Sequence, residues 1–207
     1  MKKEINLHEL IEEGESSSME FKASAIYSFD KEQHDKTLFY PIIKSICALA
    51  NSEGGKIVVG YHERQEKFVG IEKDGKKDND SWERYLRSHL DAKTDKFTGT
   101  LVDFFFQKID DVTCAIIEVK RSPTRISCKD LTKNDETHFY VRSGPSTKSL
   151  NFDEGIRYQE MRFGREGRNK FYSRDRDDNQ RYRSRRRSRR NYRRRYDREE
   201  SKNEDRD

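Results

Sequence analysis

Glu15 and Glu20 stand five residues apart in Glu15-Ser-Ser-Ser-Met-Glu20-Phe-Lys22, with a lysine two places beyond the second acid. Clustered carboxylates are what a hard divalent cation such as Mg2+ or Mn2+ requires, since it takes oxygen ligands. A metal so held can assist phosphodiester cleavage, and an ammonium such as that of Lys22 can balance charge growing on the phosphorus oxygens. The same spacing also suits surface charge on a helix-to-strand connection, and spacing alone favours that plainer reading.

A second constellation is Asn51-Ser-Glu-Gly54-Gly55 leading into Ile57-Val-Val-Gly60 and then Tyr61-His62-Glu63. Paired glycines permit backbone shapes that other residues resist, which serves a phosphate cradle or a tight helix-to-strand turn. The stretch lacks the GxxxxGK[ST] form of a phosphate-binding loop, so the turn is the stronger reading. His62 and Glu63 close the strand, where site residues often sit; an exposed hairpin edge is the alternative. The third constellation is Phe139-Tyr-Val-Arg142-Ser-Gly144-Pro-Ser-Thr147. Its guanidinium, hydroxyls and turn amides suit a phosphate, and equally a strand followed by a capped turn.

These residues need elements to hold them. The pattern predicts a short helix over 5–13 stopped by Gly14, and an alternating strand over 19–22 with Glu20 and Lys22 on one face and Met19 and Phe21 on the other. The broad apolar face of 38–50 predicts the strongest helix, with Pro41 tolerated in its first turn. A buried strand at 56–61 follows, with 68–71 as its hairpin partner. Helical spacing of Trp82, Tyr85, Leu86 and Leu90 predicts a helix over 82–90. Segments 100–108 and 112–120 read as a hairpin around Asp110-Asp111, 139–141 as a strand, and 153–163 as a last helix. Helices and hairpins mix without strict alternation, so the fold class is α+β, a mixed or antiparallel sheet with flanking helices.

Charge divides the chain in two. Residues 165–207 hold 18 Lys and Arg against 10 Asp and Glu, a net +8, while residues 1–164 hold 26 against 29, a net −3. The reading is a folded domain over 1–164 and a disordered arginine-rich tail over 165–207, because such a tail cannot bury enough surface to fold alone. Arginines such as Arg185, Arg186, Arg187, Arg193, Arg194 and Arg195, interleaved with Tyr172, Tyr182, Tyr192 and Tyr196, suit phosphate capture and base stacking. Three cysteines without CxxC spacing fit a reducing, intracellular compartment and argue against a disulfide framework. No apolar run suits a membrane span and the amino terminus is too polar for a signal peptide, so no membrane is expected. The compartment expected is the cytoplasm, or the nucleus in a eukaryote.

Taken together, the motifs resemble the Schlafen AlbA-like (AlbA_2) domain family, in its compact single-lobe form. The carrying stretches are Gly14-Glu15 through Met19-Glu20-Phe21-Lys22, Ile46 to Gly55, Val58-Val59-Gly60 with Val69-Gly70-Ile71, and Phe139 to Gly144 with Ser146-Thr147. Glu72-Lys73-Asp74 and the Trp82 helix fit the same pattern. The nuclease members of that family are metal-dependent endoribonucleases that cut transfer RNA and related structured RNA with three carboxylates. The resemblance implies that Glu15, Glu20 and Glu63 hold Mg2+ or Mn2+, with Lys22 at the scissile phosphate. The third acid is usually Asp in the family; Glu63 is longer by one bond. Vertebrate nucleases of the family pair two lobes and carry a zinc site. Here there is one lobe and no visible zinc ligand set, so the resemblance implies a homodimer or a heterodimer with a related lobe.

Two functions follow as expectations. One is a metal-dependent endoribonuclease on structured RNA such as tRNA, with Lys120, Arg121 and Arg142 contacting the backbone. The other is a non-catalytic DNA- or RNA-binding or regulatory module. Nucleotide binding at Gly54-Gly55 ranks last, for want of a phosphate-loop lysine.

Overall fold

The computed structural model describes residues 5–131 and 136–164. The chain divides into two units after Arg157, and the elements below belong to the first except for the last helix, which spans the boundary. The arginine-rich segment, including Arg185 to Arg187 and Arg193 to Arg195, lies outside the described residues.

The helices are α1 (Leu7–Glu13), α2 (Phe39–Asn51), α3 (Asn79–Lys93) and α4 (Phe152–Phe163). The strands are β1 (Met19–Lys22), β2 (Tyr27–Ser28), β3 (Gln33–His34), β4 (Gly55–Val59), β5 (Tyr61–His62), β6 (Lys67–Phe68), β7 (Val102–Ile109), β8 (Val112–Val119), β9 (Cys128–Lys129), β10 (Thr137–Ser143) and β11 (Ser146–Leu150). The central sheet has the order β1-β4-β8-β7, with β1 parallel to β4 and the other pairs antiparallel. Parallel neighbours need a crossover, and the β2–β3 hairpin and α2 supply it. The fold is therefore α+β with a mixed sheet.

Both faces of the central strands are covered, which explains their near-continuous apolar runs. Ile57, Val59, Ala115 and Ile117 pack with Ile42, Ile46, Trp82, Leu86 and Leu90 beneath α2 and α3. Val58, Cys114 and Ile116 pack on the opposite side with Leu7, Phe21, Tyr61 and Phe68. Alternation in β1 then decides the site: Met19 and Phe21 join this second cluster, which leaves Glu20 and Lys22 on the other face.

Local signals predict several ends. Asn6 caps α1 through its side chain, and Gly14, at φ 73, stops it. The turn at Asp110 and Asp111, at φ 47 and 66, joins β7 to β8. The strand read over 56–61 is broken at Gly60 into β4 and β5, β5 pairs with Lys67–Phe68 rather than with 68–71, and the short strands β2, β3 and β9 are absent from the sequence reading. Two further features differ. Asn51 belongs to the end of α2, where its buried amide bonds Ile126 N, Ile126 O and Tyr140 O at 2.8–2.9 Å. The polar run Ser146-Thr-Lys-Ser-Leu150 forms β11, paired among the described residues with β10. An edge strand of this composition has no apolar alternation to betray it.

Candidate active site

Glu15, Glu20 and Lys22 are carried by β1 and the loop before it. The loop doubles back: Ser16 N donates to Met19 O at 3.1 Å, and Phe21 N donates to Glu15 Oε1 at 3.0 Å. It rests on the Gly54-Gly55 turn, where a Cβ on Gly55 would run into the Ser18 carbonyl. Gly54 is packed as closely against the backbone of Val119 and Arg121. The paired glycines thus permit close approach of chain to chain, the tight-turn reading of this motif.

Glu20 is buried and gives each oxygen to a cation. Lys22 Nζ bonds Oε1 and Arg142 Nη1 bonds Oε2. Arg142 reaches in from β10, and its side chain is only 1% exposed. Its Nη2 donates to Ser16 O at 2.6 Å and to Met19 O at 3.3 Å, and Nη1 also meets Thr147 Oγ1 at 3.3 Å. Its backbone N–H donates to Ser52 Oγ at 2.9 Å. One guanidinium therefore ties β1, the Glu15 loop and the β10–β11 hairpin together. This is a positioning role, and its hydrogen bonds are intramolecular.

Glu63 opens a 3-10 turn, Glu63–Gln65, just past β5, and is exposed. Gly60, at φ 110, breaks the strand between β4 and β5, and its N–H donates to Lys22 O at 2.8 Å. That break turns the Glu63 segment towards the end of β1. The approach is felt electrostatically. Burial above all holds the Glu15 carboxyl above its ordinary range; the bond from Phe21 N opposes this, and the charges of Glu20 and Glu63 add to the rise. Glu63, far away in the chain, thus acts on Glu15.

With Lys22 and Arg142 the cluster has a formal charge of −1 on its three acids and two bases. All-oxygen donors and a residual negative charge suit a hard divalent cation. Glu20, however, has both oxygens engaged, and no three acidic, His or Cys groups among the described residues are arrayed to hold a metal. Glu63 is exposed, and Glu15 is part-buried with Oε1 accepting from Phe21 N.

The other sequence-predicted bases among the described residues have acidic partners of their own. Lys120 pairs with Asp103 at 2.7 Å, and Arg121 meets Glu53 at 3.7 Å beside the Gly54 turn. The sequence reading passed over Asp74 as a functional residue. Its buried carboxylate accepts from Ser24 Oγ, Ala25 N, Ile26 N, Tyr27 N and Trp82 Nε1, fixing the chain that leaves β1. Nothing local to Glu72-Lys73-Asp74 distinguishes it from an exposed acid. Among the described residues no helix is long and apolar enough to cross a membrane.

No curated protein matches the chain. Among solved structures, the DIP2311 protein from Corynebacterium diphtheriae is similar at 19% identity and a TM-score of 0.49, over 70% of this chain and 24% of that one. The chain thus spans about a quarter of that protein's length. The N-terminal domain of a RecG-related protein from Nitrosomonas europaea is similar at 18% identity and a TM-score of 0.37, over 63% of this chain and 76% of that one. The Schlafen, AlbA_2 family model matches residues 15–151, which takes in Glu15, β1, the glycine turn, Glu63, Arg142 and β11. The chain belongs to the Schlafen AlbA_2 family.

Proposed function

We propose that this protein binds nucleic acid and is a metal-dependent endoribonuclease on structured RNA such as tRNA, working at Glu15, Glu20, Glu63 and Lys22. The observation that carries this reading is the gathering of acids about Glu15, whose part-buried carboxyl is raised above all by burial and further by the charges of Glu20 and Glu63. Stability alone gives no reason to gather like charges around a part-buried carboxylate.

Glu15, Glu20 and Glu63 would hold Mg2+ or Mn2+, which would supply Lewis-acid stabilisation of the phosphate and a more acidic water. A divalent charge turns the cluster from −1 to +1, a sign suited to a phosphodiester. Lys22, released from Glu20, steadies the phosphate oxygens. Arg142 positions Glu20 and the Glu15 loop from within. The tail from residue 165, at net +8, adds salt-sensitive affinity for the backbone. A dimer with a second copy or a related lobe would complete a two-lobed grip.

The second reading is a nucleic-acid-binding module without catalysis. The engagement of both Glu20 oxygens by Lys22 and Arg142 favours it. The test incubates the full chain with a tRNA pool and Mn2+, beside Glu15→Gln and Glu63→Gln. These acids are preferred to Glu20, whose removal strands a buried guanidinium. Cleavage by the wild type, reduced at least about a hundredfold in both variants, supports the enzyme. Binding without cleavage by any of the three leaves the module.

A further inference from the structure

Next to Glu63 lies a cluster of aromatic rings that the acidic cluster does not use. Tyr27 and Phe29 of the β2–β3 hairpin have ring centroids 5.1 Å apart at 81°. His34 packs edge-on to Tyr27 at 5.9 Å, and His62, the residue before Glu63, packs edge-on to Phe29 at 5.6 Å. Tyr27, Phe29 and His62 are half-buried and His34 is exposed, so the rings remain at the surface. Lys73 holds its ammonium 5.0 Å from the Tyr27 centroid and 5.1 Å from that of Phe29.

The cluster is held rigidly. Asp74 accepts the Tyr27 N–H at 3.1 Å and the Ile26 N–H at 2.9 Å, so the carboxylate next to Lys73 also fixes the backbone that presents Tyr27. His34 donates its Nε2 hydrogen to the Lys73 carbonyl at 2.9 Å. The hairpin and the Lys73 turn are thereby tied at two points. Rings preset in this way lose little freedom when a flat partner lands on them. One further polar atom there is orphaned: His62 Nδ1 is buried without a hydrogen-bond partner.

We infer that Tyr27, Phe29 and His34, with Lys73, form a stacking subsite for an unpaired nucleobase beside the acidic cluster. The inference rests on the nucleic-acid reading above and deepens it: the nucleotide next to the cluster is single-stranded. Aromatic faces take any base, because every base has a π-face. At the exposed hairpin tip, Asp30-Lys31-Glu32, Lys31 pairs with Asp35 at 3.3 Å, and the two acids repel a phosphate laid over the tip itself. The rings therefore take the base as the exposed Lys73 ammonium leaves their faces for the adjoining phosphate. A base inside a duplex offers no free face, so a loop, bulge or end of a structured RNA is the fitting ligand.

The test uses the full chain in EDTA, so that binding is read without turnover. A short single-stranded oligoribonucleotide carries one 2-aminopurine, whose fluorescence falls on stacking; a second carries an abasic site at that position; a third is the paired duplex. The wild type is expected to quench the 2-aminopurine and to prefer the base-bearing strand to the abasic one by about fivefold or more. Phe29→Leu and Tyr27→Leu, which keep apolar bulk, are expected to lose the quenching and the preference while their melting temperatures hold. The tail's tyrosines are common to every variant and cancel. Equal binding of base-bearing and abasic strands, or undiminished quenching in both variants, overturns the stacking subsite and leaves nucleic-acid binding standing. Binding of none of the three ligands instead overturns the nucleic-acid reading on which the subsite rests.

Discussion

Replacing Arg142 by methionine removes the charge that reaches from β10 into the Glu20 site while keeping much of the side chain's bulk. The guanidinium is 1% exposed and Glu20 10%, so the pair is buried by any measure. Deleting one partner of such a pair costs about 3–5 kcal/mol, because the other charge is left without its counter-ion in a poor solvent. Lys22 still covers one oxygen of Glu20, which favours the lower end; the carbonyls of Ser16 and Met19 lose their donor, which favours the upper. Taking about 4 kcal/mol against a typical total of roughly 5–15 kcal/mol, the variant still folds, with a melting temperature lower by about 8–16 °C. Trp82 is the only tryptophan and is buried, so urea unfolding can be followed by its fluorescence. Thr147→Val is the control, since it removes only the 3.3 Å contact at the hairpin and should cost about 1 kcal/mol or less. A loss below about 1 kcal/mol in Arg142→Met, no larger than that of the control, would refute the clamp.

Asp74→Asn keeps the shape and swaps one acceptor oxygen for a donor. With the amide oxygen facing Ser24, Ile26 and Tyr27, its NH2 group meets the Trp82 Nε1–H and Ala25 N–H, which bond Asp74 Oδ2 at 2.6 and 3.3 Å. Two buried donors then oppose a third, and the expected loss is about 3–5 kcal/mol in urea unfolding; an unchanged midpoint contradicts the assigned network. Glu15→Gln tests the electrostatics without divalent cation. Because burial and the charges of Glu20 and Glu63, opposed by Lys22, raise the folded carboxyl above its ordinary value of 4.5, its contribution to stability is present below that value. It is lost as pH rises through the folded value. The variant is therefore expected to gain on the wild type from about pH 4 to pH 7, and a stability difference that stays flat across that range speaks against the raised carboxyl.

Local patterning carried much of the fold. The 3.6-residue spacing of Ile42, Ile43, Ile46 and Leu49 marks α2, and the alternation of Met19 to Lys22 marks β1 with its acid and base on one face. Asp110-Asp111 marks the β7–β8 turn. Polar β11 carried no such mark, because its partner among the described residues is β10 and nothing apolar needed to be spaced along it.

The candidate site divides along the same line. Glu15, Glu20 and Lys22 are near neighbours in the chain, and their types and spacing suggest chemistry before any fold is known. That Arg142 would lie against Glu20, 122 residues away, is invisible to local pattern, and so is the burial that makes it a clamp. Asp74 reads as one more surface acid until five donors from two segments are folded around it. The sequence by itself determined the main helices, the strands with apolar patterning and which short motif holds the acids. Those follow from periodicities of two and 3.6 residues and from caps within a turn or two. The tertiary structure decided which charges meet and which rings gather beside Glu63. Such pairings depend on strand order and on the crossover through α2, which no stretch of a few residues encodes.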